Sequence, residues 1–183
     1  GEGQLAAAAA AIDRWQGEQV LFTDGSVHPA TAVGGSAVVQ LTGPPGEEVV
    51  SAGEAVCLVG AASSLDVEVR ALLLAMDLVQ RLPGEGRVVV CTDSRSALQA
   101  LRLPSDGERS DISHLRRELL GSTREVALQW VPGHCGLPGN EVADRVAKAA
   151  ASFRASAGDA SLPVMSVSGA EVRRDVMLSM FVG

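Results

Sequence analysis

Short apolar blocks separated by turn residues dominate the first third of the chain. They predict strands over residues 19–23, 33–41 and 48–57, because each block has strand length and is bounded by Gly, Pro, Asp or Glu. The connections between the blocks are short, so consecutive strands should pair with one another. The pattern therefore predicts a three-stranded antiparallel meander.

The apolar period then changes to that of a helix. Residues 65–82 read LDVEVRALLLAMDLVQRL, and Leu72, Ala75 and Val79 fall on one face of the predicted helix. Glu68 lies at the start of the same face. A carboxylate on a core-facing stripe is costly unless it is paired or bound to a cation, so Glu68 is a candidate functional residue.

The second half of the chain alternates strands and helices. Residues 87–92 are continuously apolar, which is typical of a central parallel strand. Helices are predicted at 94–103 and 111–120, a last strand at 125–131, and a last helix at 140–153. A meander followed by these elements places the chain in the α/β fold class.

Four carboxylates stand at strand ends or near helix starts. Asp24 and Asp93 directly follow predicted strands, and Glu68 and Asp144 lie in the early turns of helices. Each has a simpler explanation, as a turn residue, a helix N-cap or an acid favoured by the helix dipole. Four acids gathered in one place would repel each other, and Mg²⁺, which prefers oxygen ligands, would relieve that repulsion. The pattern leaves open separate structural acids or one metal site.

Residues 128–148 read LQWVPGHCGLPGNEVADRVAK and combine a strand, a loop and a helix. The Pro/Gly loop carries His134, and Asp144 follows ten residues later on the helix. A histidine in a Gly-rich loop is usually an ordinary surface residue. His134 becomes a candidate catalytic residue only if Asp144 and the other acids converge beside it.

Composition limits the classes of function. The chain has 183 residues, enough for one domain with a substantial core, and a net charge of −7. A protein that grips nucleic acid by itself usually has a basic face, so any such grip should be local, weak or shared with a partner. No apolar run reaches membrane-spanning length, and no membrane association is expected.

The cysteines indicate the compartment. Cys57, Cys91 and Cys135 are odd in number and lack CxxC spacing, which argues against a disulfide framework or a zinc site. Such usage favours a reducing environment. We therefore expect an intracellular protein, and the sequence does not distinguish the nucleus from the cytoplasm.

Four motifs in order resemble a known family. FTDGS, VEVRALLLAM, VVVCTDSRSAL and QWVPGHCGLPGNEVADRVAKAA are similar to ribonuclease H (RNase H, type 1), and more narrowly to the RNase H domain of non-LTR retrotransposon polyproteins. The resemblance covers about residues 18–153. Each motif alone is weak, but all four in this order are specific. The resemblance implies an RNase H-like α/β fold, a five-stranded mixed sheet with three antiparallel strands and two parallel additions, flanked by helices.

The same resemblance implies an activity and its residues. The family hydrolyses the RNA strand of RNA–DNA hybrids with two Mg²⁺ ions, Mn²⁺ being an alternative, and leaves 3′-hydroxyl and 5′-phosphate ends. By position the metal-binding, catalytic acids are Asp24, Glu68, Asp93 and Asp144. His134 matches the loop histidine that assists proton transfer or product release.

Further residues of the motifs are expected to contact the substrate. They adjoin the acids or open the last helix: Gly25, Ser26, Ser94, Arg95 and Asn140. Glu141 completes the polar pair at the start of that helix. Hybrid should be recognised by groove shape and the 2′-hydroxyl more than by base sequence.

The chain also departs from the family pattern. Val67-Glu68-Val69 replaces the usual Ala-Glu-Leu, and the segment between Asp93 and His134 lacks the Lys/aromatic-rich handle of bacterial relatives. Its arginines are interleaved with acids. We therefore expect affinity for hybrid to depend on a reverse transcriptase in the same or an associated chain.

Three other functions remain open at the level of sequence. The first is a non-catalytic RNase H-like module that packs against a polymerase. The second keeps the fold but cuts another nucleic acid, such as a DNA junction or a single strand. The third is an unrelated α/β domain whose strand-end acids are coincidental. The complete set of four acids argues against the non-catalytic module. By resemblance, His134 and the helix-borne Asp144 favour cleavage of hybrid over another nucleic acid, and the unrelated domain is the least favoured alternative.

The expected organisation has three parts. Residues 1–17 are predicted to be an N-terminal helical linker, with an alanine-rich helix at 5–15 that has few anchoring residues. Residues 18–153 form the RNase H domain. Residues 154–183 are predicted to be a C-terminal linker with a short helix at 169–181.

Overall fold

A computed structural model describes residues 2–44, 46–61, 63–103, 107–157 and 165–166, with the backbone alone at 153–157 and 165–166. The strands, in chain order, are β1 Gln19–Val27, β2 Gly34–Thr42, β3 Val49–Leu58, β4 Val88–Thr92, β5 Val126–Trp130 and β6 Met165–Ser166. The helices, in chain order, are α1 Glu2–Asp13, α2 Ser64–Arg81, α3 Arg95–Arg102, α4 Ser110–Gly121 and α5 Pro138–Ala157.

The strands form one mixed sheet in the order β5-β4-β1-β2-β3-β6. The first three strands pair antiparallel, β4 runs parallel to β1, and β5 runs parallel to β4. The predicted five-stranded mixed sheet is therefore confirmed. The two-residue strand β6, which the sequence did not predict, extends the sheet by pairing antiparallel with β3.

Helices cover both faces of the sheet, and alternate residues of each strand face opposite layers. Leu21, Val88 and Val90 share one buried cluster with α2, α3 and α4. Phe22 and Val89 belong to a second buried cluster, which contains α5 and part of α1. The apolar stripe predicted for α2 is confirmed, since Glu68 and all three apolar residues of the stripe are buried.

Strand β1 is longer than the sequence predicted. We expected it to end at residue 23, but it continues to Val27 and pairs with β2 as far as Gly34. Asp24 therefore lies inside the strand rather than in a turn. The turn lies at His28-Pro29, which the sequence favoured over Asp24-Gly25, and the N–H of His28 donates to the Val33 carbonyl at 2.8 Å.

The terminal helices also differ from expectation. Helix α1 is anchored, since Ala8 and Ala11 are buried, whereas the sequence predicted few anchoring residues. Helix α5 continues to Ala157, four residues beyond the predicted end at 153. The predicted helix at 169–181 lies outside the described residues. Within the described ranges, no helix has the length and apolar character needed to cross a membrane.

Candidate metal centre

Three of the predicted acids converge at one end of the sheet. Asp24 lies on β1, Glu68 on α2, and Asp93 directly after β4. Each offers one carboxylate oxygen, and these oxygens all lie within 4.8 Å of one another. Parallel pairing of Thr23 with Thr92 places Asp24 and Asp93 side by side. Residues from three separate elements therefore form one oxygen-rich cluster.

A close approach of α2 to the sheet brings Glu68 into this cluster. A Cβ atom on Gly25 would lie 2.7 Å from the Val67 carbonyl carbon and 2.8 Å from the Glu68 nitrogen. Only glycine allows that approach. The hydroxyl of Ser36 on β2 also donates a hydrogen bond to the Val67 carbonyl at 2.7 Å, so the start of α2 is fixed against the sheet.

Burial and mutual repulsion make the charged forms of these acids unfavourable. Burial, followed by the charge of Asp93, raises the pKa of Asp24 to about 8. Burial, followed by the charges of Asp24 and Asp93, raises the pKa of Glu68 to about 9. Burial also raises the pKa of Asp93, although a hydrogen bond from Asn140 and the charge of His134 act in the opposite direction. A positive charge bound among the three carboxylates would therefore stabilise their ionised forms.

The donor set fits a hard divalent cation. Mg²⁺ and Mn²⁺ are bound through carboxylate oxygens, and all three groups of the cluster are carboxylates. Glu68 Oε2 is buried and has no hydrogen-bond partner in the described part of the chain. A buried carboxylate oxygen without a partner is costly, and a bound cation would relieve that cost.

The fourth predicted acid, Asp144, lies beside the cluster on α5. Asp144 is buried, and its proximity contributes to the raised pKa of Asp24. Its Oδ2 accepts a hydrogen bond from Lys148 Nζ at 2.7 Å, one helical turn away. Asp144 is therefore adjacent to the three-acid cluster but already paired with a cation.

His134 lies on the loop between β5 and α5, and its side chain is exposed next to Asp93. Its φ is 51°, an uncommon conformation for a residue with a side chain. The loop passes so close to the Asp93 carboxylate that a Cβ atom on Gly133 would collide with it. The N–H of Gly136 donates to Glu141 Oε1 at 3.2 Å, which ties the loop to α5.

Two of the predicted substrate contacts are buried. The Ser94 hydroxyl is the N-cap of α3 and accepts a hydrogen bond from the Ala97 N–H at 3.3 Å. Asn140 is 1% exposed and hydrogen-bonds to Asp93, which lowers the pKa of that acid. Contact of these two side chains with a substrate stays a prediction, and burial instead favours a supporting role for both.

The other predicted contacts are more accessible. Gly25 and Ser26 are half-buried on β1, and the Gly25 N–H donates to Asp24 Oδ1 at 2.8 Å. Arg95 is exposed, and its guanidinium carbon lies 4.2 Å from the centre of the Trp130 ring. The Trp130 indole N–H donates to the Asp93 carbonyl at 3.2 Å. Arg95 is thus held over an aromatic ring next to the acid cluster.

Sequence reasoning missed two residues of this region, Trp130 and Lys148. In each case a feature of the sequence indicated that the residue lies near the candidate site. Trp130 directly precedes the loop that carries His134. Lys148 is the one lysine of the chain and lies four residues after Asp144, the spacing at which two helical side chains meet.

Comparison with known families agrees with this geometry. The family model described as RNase H matches residues 16–152, which include the cluster, the His134 loop and most of α5. The match spans well over half of the chain and contains every residue predicted for the site. The chain therefore belongs to the RNase H family.

Proposed function

We propose that this protein is a metal-dependent endoribonuclease that hydrolyses the RNA strand of RNA–DNA hybrids. The observation that carries the proposal is the convergence of Asp24, Glu68 and Asp93 within 4.8 Å in a member of the RNase H family. A protein that only packed against a partner would have no physical need for three converging acids with repelling charges.

The acids are proposed to hold two divalent ions, Mg²⁺ first and Mn²⁺ as an alternative. Asp24, Glu68 and Asp93 would hold one ion, and Asp144 together with Asp24 would hold the other. When bound, such ions supply an activated water and stabilise the leaving oxygen of a phosphodiester. Lys148 Nζ occupies Oδ2 of Asp144, so its positive charge competes with an ion for that carboxylate.

His134 is proposed to move protons at the mouth of the site. Its ring is exposed beside Asp93, so it can reach both solvent and a substrate lying over the acids. An imidazole ring can accept a proton at one nitrogen and donate it again, which suits proton transfer to a departing oxygen. Asn140 is proposed to orient the Asp93 carboxylate through its hydrogen bond.

Arg95 is proposed to contact a phosphate of the substrate. Stacking on Trp130 restrains the guanidinium while leaving its in-plane N–H groups available. Arg95 forms no ion pair with the described residues, whereas Arg109 is paired with Asp66 and Asp111. Gly25 and Ser26 are proposed to lie under the RNA strand, because they follow Asp24 on the accessible end of β1.

A partner is proposed to supply the remaining affinity for the RNA–DNA hybrid. The chain carries a net charge of −7, and several of its arginines are bound to groups of the protein itself: Arg87, Arg109, Arg116 and Arg124. We propose that a reverse transcriptase, in the same or an associated chain, holds the hybrid, as in the non-LTR retrotransposon polyproteins that the motifs resemble. Joining the reverse transcriptase to this chain should then lower the KM for hybrid. An unchanged KM would contradict the proposal that the reverse transcriptase holds the hybrid.

The activity is tested with an end-labelled RNA–DNA hybrid and Mg²⁺, beside duplex RNA and duplex DNA. We expect cleavage of the RNA strand in hybrid alone, with 3′-hydroxyl and 5′-phosphate products. Asp93→Asn should abolish cleavage, whereas Asp66→Asn, the same chemical change outside the cluster, should not. If the folded protein cuts nothing at low salt, even with Mn²⁺, the non-catalytic packing module becomes the better interpretation.

A further inference from the structure

Residues 1–15 lie outside the family match, yet they pack against the edge of the protein that carries the candidate site. Helix α1 has two distinct faces. Ala8 is 1% exposed and belongs to the second buried cluster, whereas Ala7 is exposed to solvent. A helix that merely linked two domains would not need a buried face.

Helix α1 reaches the His134 loop through apolar contacts. Ala8 shares its buried cluster with Val131 and Leu137, the two residues that flank the loop. Leu5 packs against the same cluster, and its Cδ2 lies 3.8 Å from where a Cβ atom on Gly136 would be. Helix α1 therefore belongs to the apolar cluster that contains both ends of the loop, and Leu5 approaches the loop directly at Gly136.

A second connection runs from Trp15 to Asp93 through hydrogen bonds. The Trp15 indole N–H donates to Gln129 Oε1 at 3.2 Å, and Gln129 Nε2 donates to the Trp130 carbonyl at 2.8 Å. The Trp130 indole N–H in turn donates to the Asp93 carbonyl at 3.2 Å. The Arg87 guanidinium lies 5.4 Å from the Trp15 ring centre and fixes that ring on its other side.

We propose that α1 and Trp15 are positioning elements of the active site, which hold the His134 loop and the backbone of Asp93 in place. The loop needs outside support because His134 adopts a positive φ, and such a conformation persists only when its surroundings enforce it. The kinetic part of this inference rests on the proposed function, and the structural part does not.

The test is the same substitution on the two faces of α1. Ala8→Glu places a carboxylate in the buried cluster and should detach the helix, whereas Ala7→Glu leaves the charge in solvent. The histidine ring resonances are followed by NMR in the full chain. In Ala8→Glu the His134 resonances should shift or broaden, while those of His28, at the β1–β2 turn, and of His114, on α4, should not. Ala7→Glu should change none of them.

Steady-state kinetics provide the second readout. We expect Ala8→Glu to lower kcat for hybrid cleavage about tenfold or more, because a small displacement of catalytic groups has a large effect on rate. KM should stay within about twofold, because α1 contacts no residue proposed to bind the substrate. Ala7→Glu should match the wild-type protein in both constants.

Clear outcomes overturn the inference. If Ala8→Glu is folded and both its His134 resonances and its kcat are those of the wild type, α1 only covers the core. A shifted resonance with an unchanged kcat also refutes a positioning role. If Ala8→Glu does not fold, Leu5→Ala and Trp15→Phe, which remove one contact each, take its place under the same criteria. If the wild type cuts no hybrid, the proposed activity fails, and the resonances alone still decide the inference.

Discussion

Asp66 and Glu68 lie two residues apart at the start of α2, and their surroundings are opposite. Asp66 completes a capping box, in which its Oδ2 accepts from the Ser63 N–H at 2.7 Å. It also pairs with Arg109 at 2.5 Å. Slight burial raises the pKa of Asp66, but the hydrogen bonds from Arg109 and Ser63 outweigh it, so the net shift is downward.

Glu68 has the reverse arrangement. It is buried without a cation, its Oε2 has no hydrogen-bond partner among the described residues, and its pKa is raised to about 9. One helical turn thus contains an acid that stabilises the fold and an acid that destabilises it. Burial and the neighbouring acids outweigh the one backbone hydrogen bond, from Gly25, that favours the charged form of Glu68. The contrast teaches that the acid with the unfavourable charge is the better candidate for a ligand of a cation.

The largest expected difference between the two acids is in activity. Glu68→Gln should lower the rate of hybrid cleavage about a thousandfold, because it removes a charged ligand worth several kcal/mol in the transition state. Asp66→Asn should change the rate less than about threefold, because its carboxylate points to Arg109 and away from the cluster. Single-turnover cleavage of labelled hybrid measures both. Comparable losses in the two variants would break the contrast.

The next effect is on the pH dependence of stability. The folded-state pKa values of Asp24 and Glu68, about 8 and about 9, lie above their ordinary values of 3.8 and 4.5. Between those limits the folded state holds more protons than the unfolded state, so the metal-free protein should lose stability as pH rises from about 5 to about 9. We expect a loss of at least about 2 kcal/mol in the free energy of unfolding, since each pKa unit corresponds to about 1.4 kcal/mol, and urea denaturation with EDTA measures it.

A matched variant sharpens that measurement. Glu68→Gln cannot ionise at this position, so its stability should fall less over the same pH range and exceed that of the wild type at pH 8. Added Mg²⁺ should restore the stability of the wild type at that pH and have less effect on the variant. A wild-type stability that stays constant or rises with pH in EDTA would contradict the raised pKa values.

Asp66 should show a smaller effect of the opposite sign. Removing its charge with Asp66→Asn should lower the free energy of unfolding by about 1 kcal/mol at neutral pH, since it weakens both the cap and the ion pair. Its folded-state pKa lies below the ordinary value of 3.8, so this contribution is lost only as pH falls through the acid range below about 4. Thermal melts of Asp66→Asn should therefore differ from those of the wild type more at pH 7 than at pH 3.

The smallest expected effect concerns the cation beside Asp144. Arg109 is paired with Asp66 outside the cluster, whereas Lys148 competes with an ion for the Asp144 carboxylate. Lys148→Met should therefore raise the affinity for Mg²⁺ about twofold to fivefold, a modest change because the lysine is largely exposed. Isothermal titration calorimetry checks this, with Arg145→Met, an exposed neighbour on α5, as the control. A weaker affinity in Lys148→Met would show that the ammonium group supports the site.

Periodicity predicted the parts of the fold that follow from local pattern. The stripe on α2 that starts at Glu68, the order of the elements and the apolar run of β4 all needed only the spacing of apolar residues. The pattern left the acid cluster open, and the family resemblance implied it. The cluster forms because Asp24 on β1 and Asp93 after β4 lie on strands that pair in parallel. Parallel pairing of two strands brings together the residues at their carboxyl ends, and this holds for any side chains elsewhere in the chain.

Other features depend on contacts that no local pattern reports. Asp24-Gly25-Ser26 has the composition of a turn, but β2 provides a pairing partner for it, and Gly25 and Gly35 let the helices approach β1 and β2 closely. The burial of Ala8 was not predictable, because alanine occurs equally on exposed and buried helix faces. Asn140 was predicted to contact substrate, but the position of its side chain depends on how α5 packs.

The indoles of Trp15 and Trp130, which both belong to the hydrogen-bonded path to Asp93, have an optical consequence. The chain contains two tryptophans and no tyrosine, so its fluorescence excited at long ultraviolet wavelengths arises at Trp15 and Trp130 alone. Trp15→Phe would leave a single emitter, with the Arg95 guanidinium 4.2 Å from its ring centre. The protein thus carries a built-in spectroscopic reporter at the edge of its own acid cluster, and its emission can be read before any substrate is labelled.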